Sequence, residues 1–272
     1  MIEGTAETKA LNPAVGVEVT EVADLLDDAL ISRCMEALKW RGVLLVRGLH
    51  LDDETQLAVS RKLGEVVTLG GKEIFVVTLD PTVNPAAAYL KSTFHWHLDG
   101  TTDRVPIKAT MLTARHVAMA GGGTEFANTY AAYDNLSEDD RKRYDDLRVV
   151  HTFEAAQRLT HPDPTEKQLA AWRTQPPHET PLVWKRRDGR RSLVLGATAD
   201  HIIGMEPAES RALLDELLAW STQERFRYMH EWQVDDVVIW DNTGILHRAL
   251  PYDPSSERRL HRTTIVGDEE LA

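Results

Sequence analysis

The segment Phe94-His95-Trp96-His97-Leu98-Asp99-Gly100 sets an imidazole and a carboxylate two residues apart. On an extended strand side chains alternate between faces, so His95, His97 and Asp99 point the same way. His97 and Asp99 then offer one nitrogen and one oxygen to a single point, which supplies two metal ligands from one strand. Alone, the pair reads more readily as a His–Asp hydrogen bond on a rim than as a metal site. A second segment, Val237-Val238-Ile239-Trp240-Asp241-Asn242-Thr243-Gly244-Ile245-Leu246-His247-Arg248, runs an apolar strand into a polar turn and delivers His247. Two imidazoles and one carboxylate leave three coordination positions open. That set suits non-haem Fe(II), whereas structural zinc closes its shell with four protein ligands.

Two further segments offer groups that bind anions. Arg262 stands 15 residues after His247 and opens a β-rich strand that can lie beside the metal. A guanidinium there can hold a carboxylate through two parallel hydrogen bonds. Arg258 and Arg259 read as solvated turn residues. Gly121-Gly122-Gly123 forms a glycine-rich turn that presents Thr124, whose plain alternative is a turn residue before a strand.

The elements that must position these groups are mostly short. Leu30, Ile31, Cys34, Met35 and Leu38 fall at helical spacing, which predicts a helix over 28–41 capped by Gly42. A buried strand follows over 43–47, a helix over 53–63, and strands over 74–79 and 109–117. Ser137 and Asp140 predict a capping box opening a charged helix over 137–147. The proline-bearing stretch 154–179 reads as a long irregular insertion, a candidate lid over about 154–180. Asp188-Gly189 predicts a hairpin over 182–195. The clearest helix is 207–220, with Pro207 in its first turn. Strands return over 229–232, 237–240 and 263–266. These strands lack regular crossover helices between them. The fold class is therefore mainly β with peripheral helices, an antiparallel sandwich or barrel in a single domain over 1–272.

Composition bounds the partners. The 272 residues carry a formal net charge of −12, which disfavours nucleic acid and anionic membranes. One cysteine, Cys34, excludes an intramolecular disulfide and any Cys-based metal site, and reads as a buried helix residue. Met1-Ile2-Glu3-Gly4-Thr5 lacks the basic and apolar regions of a secretory signal. No apolar run approaches the ~20 residues of a membrane helix. The expectation is a soluble, cytoplasmic protein acting on a small molecule.

Taken together, the segments resemble the Fe(II)/2-oxoglutarate-dependent dioxygenases, in the branch of taurine dioxygenase and 2,4-dichlorophenoxyacetate dioxygenase. The likeness runs from about Leu11 to Asp268. It includes Val15–Val19, Gly42–Gly48, Lys62-Leu63-Gly64-Glu65, Trp96-His97-Leu98-Asp99, Gly122-Gly123-Thr124, Trp240-Asp241-Asn242, His247 and Arg259–Thr264. The resemblance implies a double-stranded β-helix, the cupin-like jelly roll. It places His97, Asp99 and His247 on the iron ligands, and Thr124 and Arg262 on the far carboxylate of 2-oxoglutarate. It further implies use of O₂, release of succinate and CO₂, and hydroxylation of a small, anionic organic substrate. Such hydroxylation can lead on to C–S, C–O or C–N cleavage. A homodimer or homotetramer is expected by the same analogy.

The substrate side departs from taurine dioxygenase. The stretch Val66–Lys72 holds no histidine where taurine-type members carry one, and Thr93 falls near their asparagine contact. Tyr89, Lys91, Thr93 and His95 are the candidate substrate residues. Lys91 and His95 could pair with an anion, or be a solvated lysine and a packed histidine. Two other readings use the same ligands. One is a metal-dependent hydrolase, which gives Arg262 and Thr124 no role. The other is a non-enzymatic small-molecule sensor, which has no need for a complete set of turnover groups.

Overall fold

The computed structural model describes residues 7–22 and 24–272; the reading of Met1–Thr5 as free of a signal lies outside them. The first elements are β1 (Glu7–Ala10), β2 (Val17–Thr20), α1 (Asp28–Arg41), β3 (Val43–Val46), α2 (Asp53–Leu63), β4 (Phe75–Val77), β5 (Ala109–His116) and β6 (Thr124–Asn128). Next come α3 (Thr129–Asp134), α4 (Glu138–Tyr144), β7 (Arg148–His151), α5 (Phe153–Arg158), α6 (Glu166–Trp172), β8 (His178–Pro181), β9 (Val183–Lys185) and β10 (Arg191–Leu193). The chain continues through β11 (Ala199–Ile202), α7 (Pro207–Ser221), β12 (Arg227–His230), β13 (Val237–Asp241), β14 (Ile245–Ala249) and β15 (Arg259–Ile265).

A seven-stranded sheet in the order β1-β2-β3-β13-β5-β15-β4 faces a three-stranded sheet, β12-β6-β14. Pairing is antiparallel except between β2 and β3. This is the double-stranded β-helix expected above. Strand periodicity divides its core. Val237 and Ile239 of β13, Leu44 and Val46 of β3, and Met111 of β5 pack outward against Leu30, Cys34 and Leu38 of α1 and Val59 of α2. Their alternates, Val238, Trp240, Val43, Leu45 and Leu112, pack inward against Phe126 of β6 and Ile245 of β14. Val43–Val46 of β3 and Val237–Trp240 of β13 are therefore apolar on both faces and carry no polar alternation.

Helix α2 is also held through polar contacts. The Thr113 hydroxyl donates to Gln56 Oε1 at 2.7 Å, Gln56 Nε2 donates to His261 O at 3.0 Å, and Ser60 meets Thr263 at 2.7 Å. Gln56 and Ser60 are fully buried, so these bonds form where water cannot compete. They fix β15, the strand that carries Arg262.

Several expectations hold as stated. Helix α1 spans 28–41, capped at its start by Asp27 and followed by Gly42. Helix α7 and the β9–β10 hairpin also form where expected. Ser137 caps α4 through the Asp140 amide as expected, but the reciprocal half of the capping box does not form, because Asp140 Oδ2 accepts from the Ser137 hydroxyl instead of its backbone N–H, and the helix is shorter than expected, ending at Tyr144. Cys34 is buried, and burial pushes its thiol up to about 11, which leaves it protonated and unreactive.

Two expectations need correction. The stretch 154–179 is not irregular: it holds α5, α6 and the start of β8. Thr165 and Gln168 close a capping box on α6 that outweighs the flanking prolines. The His95–Asp99 segment is not a strand. It leaves a 3-10 turn over Tyr89–Phe94 and makes one isolated bridge, His97 to His247.

Candidate metal centre and co-substrate site

That single bridge assembles the centre. His97 N donates to His247 O at 3.0 Å, and His247 N donates to His97 O at 2.9 Å. Two residues distant in sequence are thus clamped side by side, with ring centroids 4.2 Å apart. Trp96 and Leu98 point into an apolar cluster with Leu193, Leu195 and Leu246, which turns His97 and Asp99 to the opposite side. Trp240 supports His247 from below at 4.8 Å, its indole N–H donating to Asn242 Oδ1. The sequence motif Trp240-Asp241-Asn242 is thus a brace for one ligand.

Gly196 lets the neighbouring loop approach the segment that carries His97. Its φ is +113°, and a Cβ there would lie 2.6 Å from Trp96 O and 2.9 Å from His97 Cα. Both contacts are backbone and cannot swing away. We expect Gly196→Ala to cost about 2–4 kcal/mol from strain and overpacking. It should also weaken Fe(II) binding by displacing His97. Denaturant midpoint and Fe(II) affinity measure the two effects.

Ligand atoms of His97, Asp99 and His247 lie within 4.8 Å of one another. Asp99 Oδ1 is 3.6 Å from His97 Nε2, and Oδ2 is 3.7 Å from His247 Nε2. His97 Nδ1 faces His95 O at 2.9 Å and His247 Nδ1 faces Ile245 O at 3.4 Å. Those carbonyls accept only, so they assign the N–H to Nδ1 and leave each Nε2 lone pair pointing at the centre. Burial pushes Asp99 up, but His247, His97 and Arg262 outweigh it and hold the carboxyl below its usual range. Burial, with His97 alongside, pushes His247 down to about 3. Asp99 as a carboxylate and His247 as a neutral imidazole therefore stand in their metal-binding protonation states at neutral pH. Asp99 Oδ2 is buried without a hydrogen-bond partner, the condition of an atom placed for a cation.

A cavity of about 60 Å³ opens above the triad, walled by His97, His247, Thr93, Thr124, Arg258 and Arg262 among others. Of the four substrate candidates, only Thr93 reaches it. Tyr89 is half exposed and packs toward Phe153, and Lys91 is exposed. His95 lines a separate cleft with Trp96 and Arg158, because the chain has only just left the 3-10 turn and the expected alternation does not extend back to it.

Arg258 is the residue the sequence reading misplaced. It is 3% exposed, not solvated. Its Nε donates to Gly122 O at 3.1 Å, and its guanidinium lies 4.6 Å from the Tyr252 ring. The space exists because residue 122 is glycine, since a Cβ there would stand 2.9 Å from Arg258 Cδ. The glycine-rich turn that presents Thr124 therefore seats Arg258 as well. Arg262 lies farther along the same wall, with Nη1 3.9 Å from Asp99 Oδ2 and its guanidinium 5.0 Å from the Phe75 ring. It also borders a second cavity of about 340 Å³, lined by Val67, Ile74, Phe75 and Val83 among others.

Residues 7–264 match the family described as taurine catabolism dioxygenase TauD, TfdA family. The chain belongs to this family. It is 34% identical to the alpha-ketoglutarate-dependent 2,4-dichlorophenoxyacetate dioxygenase of Burkholderia sp. (strain RASC), across 98% of this chain and 90% of that one. It is 32% identical to the (S)-phenoxypropionate/alpha-ketoglutarate-dioxygenase of Sphingobium herbicidovorans, across 95% and 94%. The crystal structure of AAD-2 in complex with Mn(II) and N-oxalylglycine superposes with a TM-score of 0.84 at 27% identity, covering 98% of this chain and all of that one (100%). The protein is thus a 2-oxoglutarate-dependent dioxygenase that uses Fe(II) and O₂. The hydrolase and sensor readings are set aside. Among the described residues, no helix is long and apolar enough to cross a membrane.

Proposed function

We propose that this dioxygenase hydroxylates a small carboxylate with an apolar or aromatic body, and that its two cavity arginines divide the two anions between them. The observation that carries the reading is that Arg258 and Arg262 both face one cavity, while 2-oxoglutarate has one carboxylate to offer beyond the metal. A five-carbon diacid chelated at one end extends its other carboxylate away from the metal. Arg258, seated against the turn that presents Thr124, stands at that far end. Arg262 stands beside a metal ligand and opens on the larger cavity. On this reading Thr124 keeps the role expected for it, and Arg262 holds the second substrate. The dioxygenases of phenoxyalkanoates among the relatives act on carboxylates with aromatic bodies, in keeping with the apolar lining beside Arg262.

His97, Asp99 and His247 would hold the iron through two neutral imidazoles and one carboxylate. When bound, Fe(II) with 2-oxoglutarate and O₂ supplies the insertion of one oxygen atom into a C–H bond, with release of succinate and CO₂. Arg258 and Thr124 orient the co-substrate. Arg262 fixes the second substrate's charged end, so that a carbon near it faces the centre. The apolar wall of Val77, Leu112, Trp240 and Leu260 keeps the cavity dry, which strengthens every charged contact in it. Where the hydroxylated carbon also bears an ether oxygen, the product is a hemiacetal that separates into an alcohol or phenol and an aldehyde. The segment 154–180 is a lid in this proposal, with Phe153 at its base touching Tyr89. Cytoplasmic location and a homodimer or homotetramer remain part of it.

Anaerobic titration of Fe(II)-loaded protein with 2-oxoglutarate tests the co-substrate assignment. A weak visible charge-transfer band should grow with 2-oxoglutarate and fail to saturate at the same concentrations in Arg258→Ala. A screen of aryl- and alkyl-carboxylates, read by succinate release, then tests the substrate class. Succinate release driven only by neutral or cationic compounds would overturn that class.

A further inference from the structure

Thr124 is buried and its hydroxyl makes one contact among the described residues: Trp232 Nε1 donates to Thr124 Oγ1 at 2.9 Å. An indole N–H only donates, whereas a hydroxyl carries one hydrogen and accepts on its lone pairs. Trp232 therefore occupies the accepting side of the hydroxyl. The hydrogen of Thr124 has no acceptor among the described residues and is left for a ligand in the cavity that Thr124 lines. From this geometry we infer that Trp232 is a positioning residue for 2-oxoglutarate: it fixes the Thr124 rotor so that the hydroxyl hydrogen is presented to the far carboxylate. The inference rests on the assignment of Thr124 to that carboxylate.

The indole is itself braced. Strands β12 and β6 pair His230 directly with Thr124, and Trp232 follows two residues later. The Trp232 ring meets His230 edge-on, with centroids 4.5 Å apart and planes at 86°. His230 and Asp236 are both fully buried, with His230 Nε2 3.1 Å from Asp236 Oδ2. Asp236 Oδ2 accepts from Arg47 Nη1 at 2.8 Å and from the Gln233 amide at 2.8 Å. Tyr228 meets the other side of His230 at 3.1 Å. Arg47, just after β3, Asp236 and His230 thus pack in series up to the edge of the indole, whose N–H reaches the Thr124 hydroxyl. A donor whose ring is held on one side has few other orientations open to it. A hydroxyl that already accepts a hydrogen bond is also the stronger donor.

The test is a double-mutant cycle read as the 2-oxoglutarate dissociation constant of the Mn(II)-loaded enzyme, which needs no turnover. Trp232→Phe keeps a ring and removes the N–H; its dissociation constant should rise about tenfold, the scale of one hydrogen bond to a charged group. Thr124→Val should raise it by a similar factor. The double variant should be no weaker than either single one, because the indole acts only through the hydroxyl. Additive losses would show that Trp232 is a structural residue and overturn the inference, leaving Thr124 in place. An unchanged constant in Thr124→Val would overturn the assignment of Thr124 itself, and the inference with it. The wild-type protein gives a second measurement that does not depend on the folding of Trp232→Phe. In the Zn(II)-loaded enzyme, added 2-oxoglutarate should shift an indole N–H resonance that Thr124→Val also displaces. Absence of such a resonance would count against the inference.

Discussion

Replacing Asp99 with alanine should abolish metal retention and 2-oxoglutarate turnover together. Losing an outer-shell partner of a metal ligand typically costs about 10–100-fold, and Asp99 is a ligand itself, so the loss should exceed that range. Its carboxylate stands 3.6 and 3.7 Å from the two imidazole nitrogens and is the only anion among the three. Without it the centre loses both a ligand and the charge that balances a divalent cation and Arg262. His97→Ala should behave alike. Metal content after dialysis and CO₂ release from carboxyl-labelled 2-oxoglutarate measure the two effects separately. A variant that keeps both would remove the triad from the chemistry. Asp99→Asn refines the result: it keeps the shape and one oxygen, so retained metal with lost turnover would assign the role to the charge.

The triad was legible in sequence because it depends on residue identity and on one short local spacing. His97 and Asp99 converge although the segment is not a strand, since alternation needs only a few extended residues and Trp96 and Leu98 to bury on the other side. The same rule misleads at His95, where the backbone has just left a 3-10 turn. Helix α1 was legible through its Asp27 and Gly42 boundaries. The stretch 154–179 was not, because prolines signal loops while the Thr165–Gln168 capping box that starts α6 is only two side chains. Strand β6 was legible only as an unbounded strand after the glycine-rich turn. Thr124–Asn128 is buried throughout, so it shows no alternation to read. Arg258 was hidden for a different reason. An arginine after Pro-Ser-Ser-Glu looks solvated, and only the folded glycine turn shows that a side chain is accommodated there. The one available signal was its spacing: Arg258, Leu260 and Arg262 alternate toward one face of the strand that ends the chain's core.

That spacing leads to the most decisive experiment on how the anions are shared. Arg258→Ala should raise the 2-oxoglutarate dissociation constant by about 30-fold to several thousandfold, since removing one partner of a buried, hydrogen-bonded charge pair costs about 2–5 kcal/mol. The same variant should bind the second substrate almost as before. Arg262→Ala should do the reverse. Its side chain is 26% exposed, so solvent screens its contact and the expected rise in the KM of the carboxylate substrate is smaller, about 10–100-fold. Its 2-oxoglutarate affinity should change by only a few fold, through loss of a positive charge near Asp99. Isothermal titration on Mn(II)-loaded variants reads the first constant, and initial rates at saturating 2-oxoglutarate read the second. If Arg262→Ala instead loses 2-oxoglutarate and Arg258→Ala keeps it, Arg262 holds the co-substrate and Arg258 is a buried brace of the Thr124 turn. Arg258→Lys separates a further case. A lysine keeps the charge but not the fork that reaches both Gly122 O and a carboxylate. Partial rescue would mean that charge dominates the far-end contact, and no rescue would mean that the two parallel hydrogen bonds do.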